Sequence, residues 1–598
     1  MSKDNLEAFE TFDFDLPPIR GFPELRWAGK RPFRTTQYFP AQKKEAYGDP
    51  TDGWWNRIYW GDNLQVMSHM LREFRGKVDL IYIDPPFDSK ADYKRKISLG
   101  GVSGSNDHHA FEEKQYNDIW TSDSYLQFMY ERMTICRELL SESGSIYLHC
   151  DYHKSHHLRN ILDEVFGIEN FQNDIQWCYN VGGKGSTRWA RKHDTIFFYS
   201  RTQNWYFDGK AVGIGRDTGT KSSGGIMGTD EDGRPYQDKL VKSSGKYYRY
   251  YLDEPKIPED WWSDVNTIQS GSFERTDYPT QKPEELLRRI ILASSKAGGI
   301  VFDAFMGSGT TQAVAMKLGR KFIGADINLG SIETTVKRLN IVRNEIEKGR
   351  NDLFVAEDGA EKTQNYLGYE IYNVNNYDLF RNPVEAKELI REAMELQPLP
   401  PSSAFDGQRE GYLVKIMPVN RIATRQDLNE VINGLDFKAF ERRQAEAPNK
   451  PVERIHLVCM GHEPDLGPAL QKEAKPFDIE VMVTDLIRDK AHLHFKKASD
   501  ARLAIENGEL VIKGFYPMNL LQKLSLESDA VEDWRQLVES VKVDFHYDGA
   551  VLTPAIFDAP GKDELVAGRY AVPADAATIR VKITDLLSES WEGDIENG

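Results

Sequence analysis

The chain has 598 residues, too many for one hydrophobic core, so roughly two to four domains are expected. Its apolar and charged shares, 40% and 28%, are those of a water-soluble globular protein, and no run of about 18 apolar residues offers a transmembrane helix. The net charge of −17 stands against a nucleic-acid partner at first sight, but the distribution of charge along a chain says more than its sum.

Residues 1–52 read as an N-terminal arm, rich in Pro and aromatics, whose opening MSKDNLEAFETFDFDLPP is acidic and lacks an apolar signal core. The four cysteines (Cys136, Cys150, Cys178, Cys459) are scattered without a Cys-x-x-Cys pair, which argues against a disulfide framework and a zinc site. A cytoplasmic location is expected. Arg57–Trp60 reads as a short strand. Leu64–Phe74 reads as a helix, with Leu64, Met67, Met70 and Leu71 at helical spacing.

Leu80–Lys90, LIYIDPPFDSK, begins as a buried strand and stops at Asp84-Pro85-Pro86-Phe87. Two prolines cannot continue a hydrogen-bond ladder, and Pro86 biases Pro85 to an extended geometry. A stiff turn is predicted at the carboxyl end of a strand, where open α/β sheets bind ligands. There a carboxylate, rigid carbonyls and an aromatic ring could grip a planar group bearing NH2; an ordinary strand end is the plainer alternative. Asp88–Ile119 shows no pattern and is too long for a simple connection.

Next come a helix over Ser124–Leu140, a strand over Ser145–His149, a helix over Lys154–Phe166 and strands over Ile175–Tyr179 and Thr195–Ser200. Gly182–Arg188 imitates a phosphate loop but lacks its spacing and following helix. From Gln176 to Tyr250 thirteen Lys and Arg face seven Asp and Glu, so this stretch is basic in an acidic chain. Thr202–Glu274 reads as a small β-rich module and Glu284–Ser294 as a helix.

Gly299–Asn328, GIVFDAFMGSGTTQAVAMKLGRKFIGADIN, reads as a strand, a Gly307-Ser308-Gly309 turn, a helix over Thr310–Leu318 and a strand ending at Asp326. Glycines admit close approach of a ligand, and an acid about 20 residues on accepts ribose hydroxyls. No Lys follows the glycines and the third glycine of the dinucleotide fingerprint is missing, so this nucleoside-binding βαβ suits S-adenosylmethionine better than NAD or ATP. Past Asp352 the composition turns acid-rich. A helix over Pro383–Glu395 and a linker at Leu396–Ser402 precede strands at Leu413–Met417, Ile455–Met460 and Ile479–Thr484, then Glu509–Phe515, Val541–Tyr547 and Thr578–Ile583.

Together the DPPF turn and the glycine turn resemble the permuted DNA amino-methyltransferases, in which the catalytic motif precedes the cofactor motif. Gly61-Asp62-Asn63-Leu64, Gly144–Asp151, His193–Tyr199 and Tyr278-Pro279-Thr280-Gln281-Lys282-Pro283 supply further matches in order, over roughly Trp54–Leu339. The resemblance is greatest to the modification subunit of Type III restriction-modification systems and its solitary relatives. It implies an α/β fold: a Rossmann-like S-adenosylmethionine-dependent domain at 53–351 with a target recognition insert within 176–275. A helical linker at 352–403 and a C-terminal α/β and β-rich region at 404–598, for dimerisation or partner docking, would follow.

The implied activity is methyl transfer to adenine N6 in double-stranded DNA by base flipping; cytosine N4 and an inactive DNA-binding scaffold are the alternatives. A glutamine or RNA methyltransferase is a further one, although those generally place the cofactor motif first. Asp84 and Pro85 would accept the amino hydrogens beside Pro86, and Phe87 would stack on the base. Asp303, Phe305, Gly307, Gly309 and Asp326 would hold the cofactor, with Asp62 near its adenine and Thr280 and Lys282 near its methionine end. Lys90, Lys94, Arg95, Lys184, Arg188 and Arg191 are the candidate DNA contacts. No metal is required, a homodimer is expected, and the absence of a helicase-like motif assigns any cleavage to a separate restriction or helicase subunit.

Overall fold

A computed structural model describes residues 11–13, 24–86, 92–98, 110–117, 122–179, 187, 189–215, 225–241, 245–269, 271–276, 278–349, 364–374, 387–388, 390–391, 394–400, 403–419, 421–448, 450–486, 499–527, 531, 533–561 and 564–596. Its centre is a ten-stranded mixed sheet. In spatial order the strands are Trp261–Trp262, Phe171–Cys178, His193–Ser200, Leu140–Cys150, Val78–Ile83, Ile300–Asp303, Lys321–Asp326, Asn56–Trp60, Tyr369–Val374 and Ala41–Tyr47. The six strands from Leu140–Cys150 to Tyr369–Val374 run parallel, and His193–Ser200 runs against its neighbours.

The strand alternation sorts side chains to two faces. Ile81 and Ile83 join a core under helices α1 (Asn63–Phe74), α2 (Ser122–Leu139) and α3 (Ser155–Phe166). Leu80 and Tyr82 join another under α4 (Glu284–Ser294), α5 (Thr310–Lys317) and α6 (Leu329–Glu347). Helices thus cover both faces of a largely parallel sheet, as a near-continuous apolar strand such as VDLIYI requires. No helix among the described residues is long and apolar enough to cross a membrane.

The sheet reaches beyond 53–351. Ala41–Tyr47, from the expected arm, and Tyr369–Val374, from the expected linker, form one of its edges. The edge strand AQKKEAY has no apolar alternation because its polar groups are paired: Lys43 with Glu370, and buried Glu45 with Lys542 and Lys582. The patternless stretch Asp88–Ile119 contains an antiparallel pair, Asp92–Ser98 with Ala110–Asn117. Both strands are rich in charge and carry no apolar stripe to announce them. The helix expected over Pro383–Glu395 lies largely outside the described residues.

The stretch 176–275, expected to hold a recognition insert, contains a three-stranded antiparallel sheet, Gly225–Thr229, Pro235–Val241 and Lys246–Tyr251. Beyond it, Tyr412–Ile416, Glu453–Cys459 and Ile479–Asp485 form a parallel unit with its own core. A last β-rich region packs on a further core around Val541, Val543, Val581 and Ile583. This region is fastened to the large sheet: the Leu552 carbonyl accepts the Ala46 amide, the Leu552 amide donates to the Lys44 carbonyl, and the Lys337 ammonium reaches the Pro560 carbonyl at 2.7 Å.

Candidate functional site

Four neighbouring parallel strands deliver the predicted motifs to one edge. Asp84 follows Val78–Ile83, Asp303 ends Ile300–Asp303, Asp326 ends Lys321–Asp326, and Gly61-Asp62 follows Asn56–Trp60. Motifs 242 residues apart in sequence therefore meet because the strands of the glycine motif insert between Val78–Ile83 and Asn56–Trp60. Ligands bind at such carboxyl edges.

Asp84 continues the alternation that puts Tyr82 on the α4 side, and Lys282, just before α4, meets it there. The Lys282 ammonium donates to Asp84 Oδ2. Asp84 Oδ1 is buried and has no hydrogen-bond partner among the described residues. One oxygen of this carboxylate is thus clamped by a cation while the other is an acceptor ready for a donor, a state that costs free energy until a ligand fills it. Pro85 is buried and Pro86 half-buried beside it.

Beneath Asp84 lies a buried polar row that the sequence reading missed. His149, fully buried at the end of Leu140–Cys150, bonds the Tyr82 hydroxyl through Nδ1 at 2.9 Å and Asp194 through Nε2 at 3.1 Å. Tyr179 donates its hydroxyl to the other Asp194 oxygen at 3.1 Å. Burial pushes the Asp194 carboxyl up, but His149 and the nearby Lys282 ammonium hold it below the usual range. A signal existed: Tyr82 and Asp84 alternate along one strand, and the histidine of YLHCD stands in the next.

The two glycines of the turn stand where a side chain would crowd its neighbours. Gly307 and Gly309 take φ of +50° and +71°; a Cβ would come 3.1 Å from the Tyr278 ring at the first and 2.6 Å from Thr335 at the second. Asp326 Oδ2 accepts the Gly307 amide at 3.0 Å and Oδ1 the Asn328 amide at 2.8 Å, and the Ser331 side chain and the Ile327 amide also bond this carboxylate. Burial raises its pKa to about 6. Asp303 is pushed to about 7, chiefly by burial and further by Asp84 and Asp326. The edge carries four carboxylates, those of Asp62, Asp84, Asp303 and Asp326, against Lys282 and the Arg132 on Asp62, a surplus of acid that favours a cationic ligand over a phosphate.

The remaining cofactor candidates divide. Asp303 accepts the Phe305 amide at 2.9 Å and the Thr311 hydroxyl at 2.6 Å, so both its oxygens brace the turn. Asp62 caps α1 by accepting the Leu64 and Gln65 amides, and its other oxygen takes Arg132 at 3.1 Å. Arg132, another residue the sequence did not announce, also holds Asn63 at 2.6 Å and lies over Phe128, whose ring is 6.1 Å from that of Phe305. Thr280 is exposed, its carbonyl 3.5 Å from Lys282 Nζ. Lys282, expected near the methionine end of the cofactor, thus faces Asp84.

Of the expected DNA contacts, Lys90, Lys184 and Arg188 lie outside the described residues, as does Phe87. Lys94 and Arg95 sit on the Asp92–Ser98 strand. Arg191 is exposed and stacks on Tyr152, 3.8 Å from the ring centroid. Within the basic stretch Gln176–Tyr250, Arg234 is paired with Asp253 and Glu254, and Arg249 with Asp238, so part of its basic surplus is neutralised.

Residues 78–337 match the model of a protein family described as DNA methylase. The chain is 27% identical over 386 residues to the Type II methyltransferase M.EcaI of Enterobacter cloacae, covering 57% of this chain and 82% of that protein. It is 28% identical over 290 residues to the DNA adenine methyltransferase YhdJ of Escherichia coli, covering 48% and 82%. A probable Type III restriction-modification Mod subunit, HindVI of Haemophilus influenzae, is 25% identical over 454 residues, with 56% of each chain covered.

Proposed function

We propose that the segment 78–337, similar to DNA methylases, methylates the exocyclic amine of a base in double-stranded DNA, adenine N6 in the first place, with S-adenosylmethionine as donor. The observation that carries this reading is the buried, unpartnered Asp84 Oδ1 on the same sheet edge as the glycine turn and Asp326. An amine donor satisfies that oxygen, and the Lys282 clamp on Oδ2 fixes its direction.

The residues fit the proposed donor. The carboxylate-rich edge favours a cation, and Asp326, 19 residues beyond Gly307 and bonded to its amide, stands where a ribose would lie against the glycine turn. S-adenosylmethionine supplies a methyl group on a sulfonium, whose sulfur leaves as a neutral thioether with the electron pair of the broken C–S bond. Asp84 accepts an amino hydrogen and, with the Pro85 carbonyl, draws the nitrogen from its planar, ring-conjugated state, so that its lone pair points at the methyl carbon. The new N–C bond makes the nitrogen cationic, and its surplus proton passes to Asp84 Oδ1. Rate enhancement rests on positioning and fixed charge. Reaching a paired base requires taking it out of the stack.

Similarity to YhdJ, named an adenine methyltransferase, favours adenine, and similarity to a Mod subunit favours a restriction-modification setting in which a separate subunit cleaves. The test is long-read sequencing of DNA from cells expressing the chain. N6-methyladenine at a recurrent motif supports the reading, N4-methylcytosine reassigns the base, and unmodified DNA alongside intact cofactor binding favours a scaffold.

A further inference from the structure

The carboxyl edge that carries Asp84 carries a second group of side chains that the chemistry above does not use. Strand register places it there. Ile83 pairs with Leu148 and Cys150 with Thr195, so the segment before His193 rises from the edge at which Asp84 and Asp151 leave. The Tyr179 amide bonds the Lys192 carbonyl at 3.0 Å and closes the base of that segment. On it Arg191 lies over the Tyr152 ring, and Tyr152 lies against His153 with ring centroids 3.9 Å apart. His153 is in turn anchored to Asp151. Two residues from Arg191, Trp189 is 95% exposed.

A nearly bare indole costs solubility and gains nothing from the core, and it stands here beside a guanidinium at the mouth of the site. Stacked on an aromatic ring, a guanidinium keeps its donor edge for phosphate oxygens. Extraction of a base from a duplex leaves a gap in the stack, and DNA-bending proteins show that apolar side chains can insert between base steps.

We infer that Trp189 enters the duplex and occupies the place that the target base vacates, while the Arg191–Tyr152 stack holds the adjoining backbone. Cationic and aromatic groups together match a polyanion with exposed base faces, and the patch is continuous with the catalytic edge. The inference rests on the proposed methylation of duplex DNA and extends it to the strand left behind.

The test compares tritiated methyl transfer by the full chain on three substrates carrying the motif found by sequencing: a matched duplex, the same duplex with an abasic site opposite the target, and the single strand. Wild-type protein inactive on all three overturns the proposed function itself. Given wild-type activity, Trp189→Ala is expected to slow the matched duplex about tenfold, the scale of one lost aromatic stack, and to leave the single strand within about twofold. Trp189→Phe should recover most of the duplex rate. Fluorescence of 2-aminopurine at the target position should fall in the alanine variant, since fewer bases are extracted. Equal loss on all three substrates, or an unchanged duplex rate, overturns the inference.

Discussion

The Lys282 ammonium is seated on Oδ2 of Asp84, although 198 residues separate the two. The catalytic candidate is thus one half of an ion pair, and its chemistry belongs to the pair. Replacing Asp84 with Ala or Asn is expected to reduce methyl transfer by at least about a hundredfold, as loss of a preorganised electrostatic group does. Isothermal titration with S-adenosylmethionine should show binding within a few-fold of wild type. Lys282→Met should lower turnover on the order of tenfold or more, through a carboxylate freed to rotate. An active Asp84→Ala variant contradicts the role given to this carboxylate.

Gly309 is the most constrained position of the turn. Alanine there adopts a left-handed backbone at a cost of about 1–2 kcal/mol and thrusts its Cβ at Thr335. Gly309→Ala should lower the melting temperature and weaken cofactor binding together. Thr335→Ala in the same chain removes the two nearest atoms but leaves its Cβ at 3.0 Å and the backbone cost, and should restore part of the loss. Full restoration would place the whole defect in the clash.

The acids of the edge make a pH prediction. Asp303 and Asp326 stand near 7 and 6 in the folded chain, above the usual value of 3.8, because burial disfavours their charge. The folded state therefore binds more protons than the unfolded state between about pH 4 and 7, and the contribution of these groups to stability falls as pH rises through that window. A cationic ligand needs the ionised forms. Its affinity should accordingly rise from pH 5.5 to about 7.5 and then level, with protons released on binding. Calorimetry in buffers of different ionisation heats checks both; affinity independent of pH would show that the carboxylates do not face the ligand's charge.

How much of this the sequence displays varies with the range of the interaction. The catalytic strand and the glycine motif are legible because period, proline and glycine are local signals: Val78–Ile83 and Lys321–Asp326 differ from the expected spans by two residues at most. Asp62 and Asp303 are legible as acids in motifs, but their caps depend on amides placed by the turn. Arg132 meeting Asp62, or Lys282 meeting Asp84, depends on strand order, which no window of sequence shows. The same holds for Ala41–Tyr47, whose charges look solvated until the C-terminal lysines are set against them.

Those lysines carry the fourth prediction. Lys542 and Lys582 are buried against Glu45 on the edge strand and Glu333 on α6. Breaking a buried ion cluster by removing one member costs about 3–5 kcal/mol, since its partner keeps its charge out of water. Lys542→Met should therefore lower stability by that order, measured by urea unfolding, and Glu45→Gln likewise. Deletion after Leu396, which a separate docking region would tolerate, should instead destabilise the ten-stranded sheet; a fully stable truncation would show the region to be dispensable.

The closure of that cluster also bears on synthesis. Glu45 and Lys582 are 537 residues apart, and at roughly 5–20 residues per second the ribosome separates their emergence by about half a minute to two minutes. During that interval the strand Ala41–Tyr47 holds an acid without its cations at the margin of a growing sheet. An open sheet margin templates pairing with other chains, and this chain cannot seal its own until nearly all of it has been made.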